Sequence, residues 1–429
     1  MTAPRLVTRA LVACALLTSL AAGAGAQTAP DNAVPEDPVP DGGTRLHIDE
    51  RLRPTLQLPF GKVVLRGRIA TLMQAPARDR GSARPDSEWQ SRRLQVEGTL
   101  FKKVEFEVSR EFGDAAEPER DAFANIRFDH AFELRAGQFK MPFGHDALVG
   151  GANIDFIYRS MAGRQLAPGR DLGVMAHGRT KSRRFTYQAG IFRRDGDNAR
   201  TAQARGGRRA LAGRVVMAPF AASGHPALAP LQIGGALVTS RLDDQLGLRG
   251  RTVFGEGVFF DRVFVDGRRL RRGLEASWAH GPASLSWEYM RVSDQRLGMG
   301  ASGEALPDIS SSGWYVAATW VLTGERKDGR VDPENSVFGG GIGALELIAR
   351  AERLSFAPAA TAPAPVSPLV VMPAANADRV TTLGLAWYLN RHLKITGSAV
   401  FESIVDPERS PVAHSSRVPT AVIQLQAAI

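Results

Sequence analysis

Residues 102–111, KKVEFEVSRE, alternate apolar and polar side chains with a period of two. Val104, Phe106 and Val108 fall on one face of an extended chain, and two glutamates and a serine fall on the other. This alternation is typical of a β-strand that has one apolar face and one solvated face. The segment therefore predicts a strand that separates an apolar medium from water.

The same pattern recurs in about sixteen segments of roughly 9 to 13 residues, the length of a tilted strand that crosses a bilayer. Examples from both ends of the chain are KVVLRGRIA (62–70), HLKITGSAVFE (392–402) and TAVIQLQAAI (420–429). No segment after residue 26 holds the roughly eighteen consecutive apolar residues of a membrane helix. Strands are therefore the candidates for crossing a membrane.

The connectors between these segments alternate in length, and residues 324–342 are an exception because they should form a turn and are too long. The expected short connectors are 99–101, 130–131, 180–182, 281–282 and 390–391, with a medium one at 220–228. The expected long connectors are 74–89, 113–121, 141–170, 194–207, 241–270, 293–312, 356–378 and 404–417. We therefore predict an all-β fold, a transmembrane antiparallel β-barrel of about 16 strands with short periplasmic turns and long extracellular loops.

The N-terminus has the pattern of an export signal. Two arginines precede an apolar core, and AGA at 24–26 fits a cleavage site, so residues 1–26 are interpreted as a signal peptide. Lipoprotein cleavage at Cys14, the only cysteine, is the less favoured alternative, and a mature chain without cysteine excludes disulfides and thiolate metal sites. Residues 27–43 are a Pro/Asp-rich periplasmic linker, and residues 44–429 form the predicted barrel.

The chain carries a formal net charge of +10. Only seven of its 54 basic residues are lysine, so 47 are arginine. The planar guanidinium binds phosphate and carboxylate oxygens in two-point contacts and stays charged at neutral pH. The excess of arginine has two interpretations, a generally arginine-rich solvated surface or a surface that handles anions.

Aromatic residues fall where the interfacial girdles of a membrane barrel are expected. Trp314 and Trp320 bracket WYVAATW on the same face of a predicted strand, and Trp387 with Tyr388 ends another strand. Membrane barrels place such residues at the two membrane–water interfaces. Any β protein can carry aromatic residues, so this pattern agrees with the barrel without requiring it.

Seven blocks of the sequence, taken together, carry a family pattern. They are RRLQVEGTLFKKVEFEVSREF (92–112), RAGQFKMPFG (135–144), FIYRSMAGRQLAPGRDLGVMAHG (156–178), LAGRVVMAPF (211–220), GWYVAATWVLTGE (313–325), GALELIARAERLSF (343–356) and TLGLAWYLNRHLKI (382–395). In this order they resemble the phosphate-selective porin O and P family. The resemblance runs from about residue 45 to the end of the chain.

The resemblance implies a sixteen-stranded, homotrimeric outer-membrane channel of a Gram-negative bacterium. Such channels pass inorganic anions, and some members prefer phosphate or polyphosphate. It also implies that residues 141–170 are the third outer loop, folded into the lumen as a constriction, with Arg159, Arg164 and Arg170 as constriction residues. The alternative is an external, solvated loop whose arginines meet lipopolysaccharide or water.

Strand alternation adds candidates on the barrel wall. Arg66, Arg68, Arg135 and Arg350 lie opposite the apolar face of their strands and are expected to point into the pore. Strict alternation would aim Lys140 at lipid. Either Gly137 marks a bulge that resets the phase, or Lys140 already lies at the rim.

The same inward face also carries acidic residues. They are Glu105, Glu107, Glu133, Glu346 and Glu402. Lysine, which the phosphate-selective members also use in the pore, is scarce, and Ile429 stands where such barrels usually end in an aromatic residue. Family membership would therefore not by itself establish phosphate selectivity.

Two other functions stay open, a plugged or structural surface-binding barrel and an outer-membrane hydrolase for which His130 and His177 are candidates without a local motif. GMGASG (298–303) fits a nucleotide-binding pattern, but that pattern should open a helix and here a loop follows, so nucleotide binding is not expected. RTAQARGGRR (200–209) is interpreted as an outer loop, so nucleic acid is not an expected partner. We expect no catalytic group, metal or cofactor, and partners limited to anions, outer-membrane lipid and lipopolysaccharide.

Overall fold

The computed structural model describes residues 43–74, 86–114, 118–196, 208–254, 257–327, 329–359, 373–411 and 417–429. The predicted signal peptide and nearly all of the predicted linker lie outside these residues. The described part of the chain is almost entirely β-structure. Its strands are β1 Arg45–Ile48, β2 Pro54–Leu58, β3 Gly61–Gln74, β4 Asp86–Leu100, β5 Val104–Glu111, β6 Glu119–Asp129, β7 Phe132–Lys140, β8 Arg170–Arg179, β9 Phe185–Phe192, β10 Ala210–Met217, β11 Gln232–Leu246, β12 Gly250–Arg251, β13 Val258–Phe260, β14 Phe264–His280, β15 Ala283–Arg296, β16 Leu306–Val321, β17 Ala344–Pro358, β18 Asn376–Tyr388, β19 Leu393–Ile404 and β20 Arg417–Ala428.

The helices of the described residues are short. Two of them, α1 (His145–Leu148) and α2 (Met161–Gln165), lie in the connector after β7 together with the 3-10 turn Gly151–Asn153. A second 3-10 turn, Val337–Gly339, follows β16. No helix in the described ranges is long and apolar enough to span a membrane.

Sixteen strands, β3 to β11 and β14 to β20, form a closed antiparallel barrel in which each strand pairs with its neighbour in sequence. The first and last of them close it, with Cα pairs that run from Gln74↔Val422 to Arg68↔Ala428. The prediction of a transmembrane β-barrel of about 16 strands is confirmed.

A small N-terminal hairpin lies outside the predicted pattern. β2 pairs with the first residues of β3, Gly61 to Val64, and β1 pairs with β2. Just beyond, Ile429 exchanges two backbone hydrogen bonds with Gly67, at 3.0 and 3.3 Å. The edge of β3 is thus covered first by β2 and then by the C-terminus. Strands of four and five residues are too short to show a period in the sequence.

The two faces of the wall have the reverse of the polarity found in water-soluble proteins. On β17, Glu346, Arg350 and Glu352 point inward and are buried, whereas Leu347 points outward and is 48% exposed. An outward apolar face matches lipid, and an inward polar face matches a water-filled or polar interior.

At one end of the barrel most connectors are short, as predicted for the periplasmic side, namely residues 101–103, 130–131, 180–184, 281–282 and 389–392. The connector predicted to be of medium length, 220–228, spans residues 218–231. The connector between β16 and β17, residues 322–343, is the predicted exception.

Two of the predicted extracellular loops are shorter than expected. The predicted loop 241–270 shrinks to 247–263, which holds the small β12–β13 hairpin, and the predicted loop 293–312 shrinks to 297–305. In both cases the strands that flank the loop, β11 and β14 or β15 and β16, extend beyond the segment whose outward face is apolar. Their outer ends carry charged and hydroxyl side chains on both faces, so the alternation of polarity disappears from the sequence although the backbone pairing continues.

Gly137 in β7 has φ +131°, and a Cβ atom there would lie 2.6 Å from Phe123 Cα and also against the Ala122 carbonyl oxygen. We therefore expect Gly137→Ala to lower the free energy of unfolding by about 1–3 kcal/mol. The measurement is urea unfolding of the refolded barrel in detergent.

Gly397→Ala is the matched control, because no heavy atom lies within 4 Å of a Cβ added there. It should leave the unfolding free energy unchanged or raise it slightly, since alanine loses less backbone entropy than glycine in a strand. Equal effects of the two substitutions would contradict the steric argument.

Candidate permeation pathway

The connector after β7, residues 141–169, folds into the barrel, where α1 is held at both ends. The Lys140 ammonium donates hydrogen bonds to the carbonyls of residues 147–149, at 2.6, 3.2 and 3.0 Å. The carboxylate of Glu288, on the inner face of β15, accepts from the first two N–H groups of α1 at 2.6 and 3.0 Å. A cation at the carbonyl end and a carboxylate at the N–H end satisfy groups that a helix leaves unpaired.

Lys140 is the last residue of β7, at the rim where the chain leaves the wall. Its pairing with β8 is regular from Glu133 to Lys140, and the pairing with β6 is regular at Gly137. Gly137 therefore does not reset the phase of the strand. Of the two alternatives, the position at the rim is the one that the pairing supports.

The rest of this connector crosses the interior and is bonded by inward side chains from several strands. These bonds are Arg68 to the Gly151 carbonyl (2.8 Å), Gln426 to the Ala152 carbonyl (3.1 Å), Lys394 to the Ile154 carbonyl (2.6 Å), Arg350 to the Tyr158 carbonyl (3.1 Å) and the Met161 N–H to Glu352 (2.5 Å). The wall thus supplies the backbone partners that an irregular segment needs away from bulk water. The connector is referred to below as the lumen loop.

Arg159, one of the three predicted constriction residues, holds the lumen loop together. Its guanidinium donates to the carbonyl oxygens of Asp146 and Val149, the latter at 2.6 Å. Burial lowers the pKa of Arg159 below its usual value, and the charge of Asp146 opposes that shift. The guanidinium is therefore engaged in the fold of the loop itself.

Arg164, the second predicted constriction residue, lines a cavity of about 110 Å³. It donates to the carbonyl of Val253 in the connector 247–263 and lies 5.8 Å from the ring centroid of Tyr158. Its Nε has no hydrogen-bond partner among the described residues. The residues that line the cavity are Leu72, Gln74, Glu88, Gln90, Ile157, Tyr158, Arg164, Val253 and Phe254. This space has room for several water molecules or one small anion.

A basic cluster lies where the inner wall of β3 to β8 faces the lumen loop. It consists of Arg68, Arg93, Arg120, Lys140, Arg159 and Arg170, whose charges interact with one another. The carboxylates that interact with them are Glu107, Glu111, Asp114, Asp121, Asp146 and Glu288. Six cations and six carboxylates balance formally, so what distinguishes the cluster is its concentration of guanidinium donors and not a net charge.

The nitrogen–oxygen distances of the ion pairs in the basic cluster differ. Arg170, the third predicted constriction residue, makes a two-point contact with Asp121 at 2.7 and 3.1 Å. Arg93 lies 3.5 Å from Glu111, too far for a close hydrogen bond. The Nε atoms of Arg68, Arg93 and Arg120 are buried without a hydrogen-bond partner in the described part of the chain. The side chains of Arg93 and Arg120 as a whole are each 19% exposed, so another part of these side chains is accessible to a passing anion.

The predicted set of pore residues omits Arg93 and Arg120. The alternation of RRLQVEG (92–98) places Arg93 on the same face as Glu97, so the inward position of Arg93 was readable from the sequence. Arg120 lies within the predicted connector 113–121 but is the second residue of β6. The sequence did not predict that Arg120 lies near the cluster, because the predicted connector ran to residue 121 whereas β6 begins at Glu119.

The remaining three predicted residues are paired with other inward side chains. Arg66 pairs with Glu97 (3.1 Å), Arg135 lies 4.2 Å from the ring centroid of Phe123, and Arg350 pairs with Glu352 (3.0 Å) and lies 4.5 Å from the ring centroid of Phe156. The structure therefore brings Arg68, Lys140, Arg159 and Arg170 into one cluster. It places Arg164 at the cavity and the other three elsewhere on the wall.

The long connector between β16 and β17 enters the barrel from the opposite end. The ammonium of Lys327 contacts Asp155 of the lumen loop and also the carboxylate of Glu346, at 2.7 Å. Arg330 donates to the carbonyl of Ala152 at 3.1 Å. This connector is too long for a turn, and it contacts the lumen loop from the end of the barrel that carries the short connectors.

The two histidines considered for hydrolysis are not arranged as a catalytic pair with a serine. His177 is buried and hydrogen-bonds to Asn125 at 2.5 Å, and His130 contacts Asp129 in the turn before β7. Within the described ranges, neither imidazole has a hydrogen bond to a serine hydroxyl. A hydrolytic centre is therefore not assembled at these positions.

Residues 66–400 match the family described as phosphate-selective porin O and P. The anion-selective porin from Comamonas acidovorans is similar in structure, with a TM-score of 0.55 and 16% identity over 86% of this chain and 100% of that chain. The trimer form of OmpT, an outer membrane protein of Vibrio cholerae, has a TM-score of 0.55 and 12% identity over 86% and 100% of the two chains. The outer membrane channel DcaP of Acinetobacter baumannii has a TM-score of 0.55 and 10% identity over 86% and 98%. No curated protein matches the chain.

At these identities the solved structures establish the barrel fold alone. The family match is independent of them and covers well over half of the chain, including the strands and the lumen loop that build the basic cluster. Fold and family together point to a channel rather than an enzyme. The chain belongs to the phosphate-selective porin O and P family of outer-membrane porins.

Proposed function

We propose that this protein is a porin that passes inorganic anions, with phosphate as a candidate, through a constriction formed by the lumen loop and the arginine-rich wall. The observation that carries the proposal is the concentration of arginine in the basic cluster of β3 to β8, where the side chains of Arg93 and Arg120 are each 19% exposed. An anion that enters there meets guanidiniums, which bind oxyanions in two-point contacts.

The pairing within the cluster sets how strongly an anion is held. An anion must lose part of its hydration shell at a constriction, and the partly exposed guanidiniums of Arg93 and Arg120 replace part of those contacts. Glu111 and Asp114 compete for the same two guanidiniums, which weakens each site. Several moderate sites allow an ion to leave as readily as it enters.

The proposed setting is the outer membrane of a Gram-negative bacterium, with the protein as a homotrimer. The trimer form of OmpT of Vibrio cholerae and the family membership support this assembly. The outward apolar face supports contact with outer-membrane lipid and lipopolysaccharide.

The second candidate function is a structural barrel with a closed lumen. It is favoured by the contacts between the lumen loop and the connector 247–263. Gln165 and Arg251 exchange two hydrogen bonds at 2.7 and 2.8 Å, and the rings of Tyr158 and Phe254 lie 5.8 Å apart. Two loops that meet inside a barrel can block it, so conductance separates the two functions.

In a planar bilayer with a chloride gradient, we expect the refolded protein to show an anion-selective reversal potential. Added phosphate should reduce the chloride current, because both ions use the same guanidinium donors. Anion selectivity without phosphate block would leave a general anion porin. A protein that inserts without any conductance would overturn the channel proposal in favour of the closed barrel.

We expect Arg93→Gln to lower the ratio of anion to cation permeability. Removing one unit charge about 8 Å from an ion in water changes its energy by roughly 0.5 kcal/mol, which is about a twofold effect. The control is Arg391→Gln, which removes the same charge from an exposed turn where Arg391 pairs with Asp332. An unchanged reversal potential for Arg93→Gln would place the pathway elsewhere.

Lys327→Met tests whether the periplasmic connector holds the lumen loop. The substitution leaves Asp155 and Glu346 without their shared cation, so the buried carboxylate of Glu346 and the partly buried carboxylate of Asp155 repel each other. We expect larger fluctuations of the open-channel current and a higher mean conductance than in the wild type. The control is the exposed neighbour, as Arg326→Met. If the current traces of both variants cannot be distinguished, the contact of Lys327 is not needed to hold the lumen loop in place.

A further inference from the structure

The outer wall of β14 to β18 changes from apolar to basic within one outward position. On β15 and β16, Tyr289 is paired with Trp314, and the outward side chains below them are apolar as far as Trp320. One outward position nearer the long loops, Arg291 is paired with Ser312. Aromatic side chains mark the membrane–water interface of a barrel. This change therefore falls at the level of the outer-leaflet headgroups.

Four outward arginines form what we call the outer arginine patch, namely Arg272, Arg291, Arg353 and Arg379. Arg272 on β14 lies directly opposite Arg291 on β15, and Arg353 on β17 lies directly opposite Arg379 on β18. Arg272, Arg291 and Arg379 are exposed. Like charges directly opposite each other on adjacent strands destabilise a sheet. Such pairs are expected to persist only where an anion offsets the repulsion.

The patch has no counter-ion within the described part of the chain. None of its four guanidiniums lies within 4 Å of a carboxylate of the described residues, in contrast to inward arginines of the same strands. Inward Arg269 pairs with Asp294 at 2.6 Å, and inward Arg350 pairs with Glu352 at 3.0 Å. The Nε of Arg353 is buried without a hydrogen-bond partner among the same residues.

Other polar groups near the patch do not neutralise it. Arg291 donates from Nε to the Ser310 hydroxyl at 3.3 Å, and the hydroxyls of Ser312 and Ser355 lie 2.9 Å apart. The carboxylate of Asp308, at the outer end of β16, interacts with Arg268 and not with the four patch residues. Hydroxyls carry no charge, so the four positive charges remain for an external anion.

We propose that the outer arginine patch binds the phosphate groups of an anionic lipid in the outer leaflet. Facing residues of adjacent strands have Cβ atoms about 4.5–5.5 Å apart, so one phosphate can bridge two guanidiniums through two-point contacts. Leu237, the partner of Arg272 on β11, and Leu274 on β14 are exposed beside it and fit acyl chains. A free phosphate ion would leave these leucines uncovered, which favours a lipid as its source.

The position of the patch agrees with this ligand. An arginine on the lipid face is several times less costly near the interface than at the bilayer centre. The site lies on the outside of the wall, whereas the proposed anion pathway lies inside it. Lipid binding by the patch therefore does not depend on the proposed transport function.

The test is native mass spectrometry of the detergent-solubilised protein titrated with diphosphoryl lipid A. The double variant Arg272→Gln/Arg291→Gln should bind roughly tenfold more weakly than the wild type, because charge-assisted hydrogen bonds are lost. The control Arg184→Gln/Arg391→Gln removes two exposed arginines at the periplasmic turns and should bind as the wild type does. Unchanged heat-modifiable migration in electrophoresis shows that the variants are folded.

Four outcomes would overturn the proposal. Equal affinity of wild type and patch variant would remove the patch from lipid binding. Equal affinity for lipid A with and without its phosphates, or displacement of lipid A by millimolar inorganic phosphate, would exclude a lipid phosphate as the specific ligand. Loss of oligomers in the patch variant with lipid binding intact would show that the patch is an interface between copies of this chain.

Discussion

The rest of the structure depends on the pairing of β3 with β20, which closes the sheet. Lipid offers no hydrogen-bond partners, so a spanning sheet with an open edge would leave a row of backbone N–H and C=O groups unsatisfied. The pairing from Arg68↔Ala428 to Gln74↔Val422 removes that edge. Ile429 and β2 extend the cover along β3 toward the periplasmic turns.

Closure also creates a confined interior whose walls are polar, and the lumen loop is built into that interior. Its backbone depends on inward side chains from distant strands, among them Lys394 and Arg350. Cations that bond the loop, such as Arg159, are committed to its fold. Partly exposed cations of the wall, such as Arg93 and Arg120, are left to act on an anion.

Arginine therefore serves in different physical settings on the two faces of one wall. Inside, Arg269 and Arg350 lie beside carboxylates, because a buried charge requires a partner. Outside, Arg272 and Arg291 face each other at the edge of the apolar band. The sequence left open whether the arginine excess is a solvated surface or an anion-handling one. The answer depends on which face each guanidinium occupies and on what lies within reach.

The sequence by itself determined the strands, the alternation of short and long connectors and the inward side of residues such as Arg68, because a period of two is a local property of an extended chain. Only the tertiary structure decided which inward residues meet. Lys394 reaches Ile154 across 240 positions of the chain, and Lys327 reaches Asp155 across 172. Such contacts exist only after the barrel has closed. For the same reason, the grouping of Arg93 with Arg68 was settled by the curvature of the wall and by the loop that faces it.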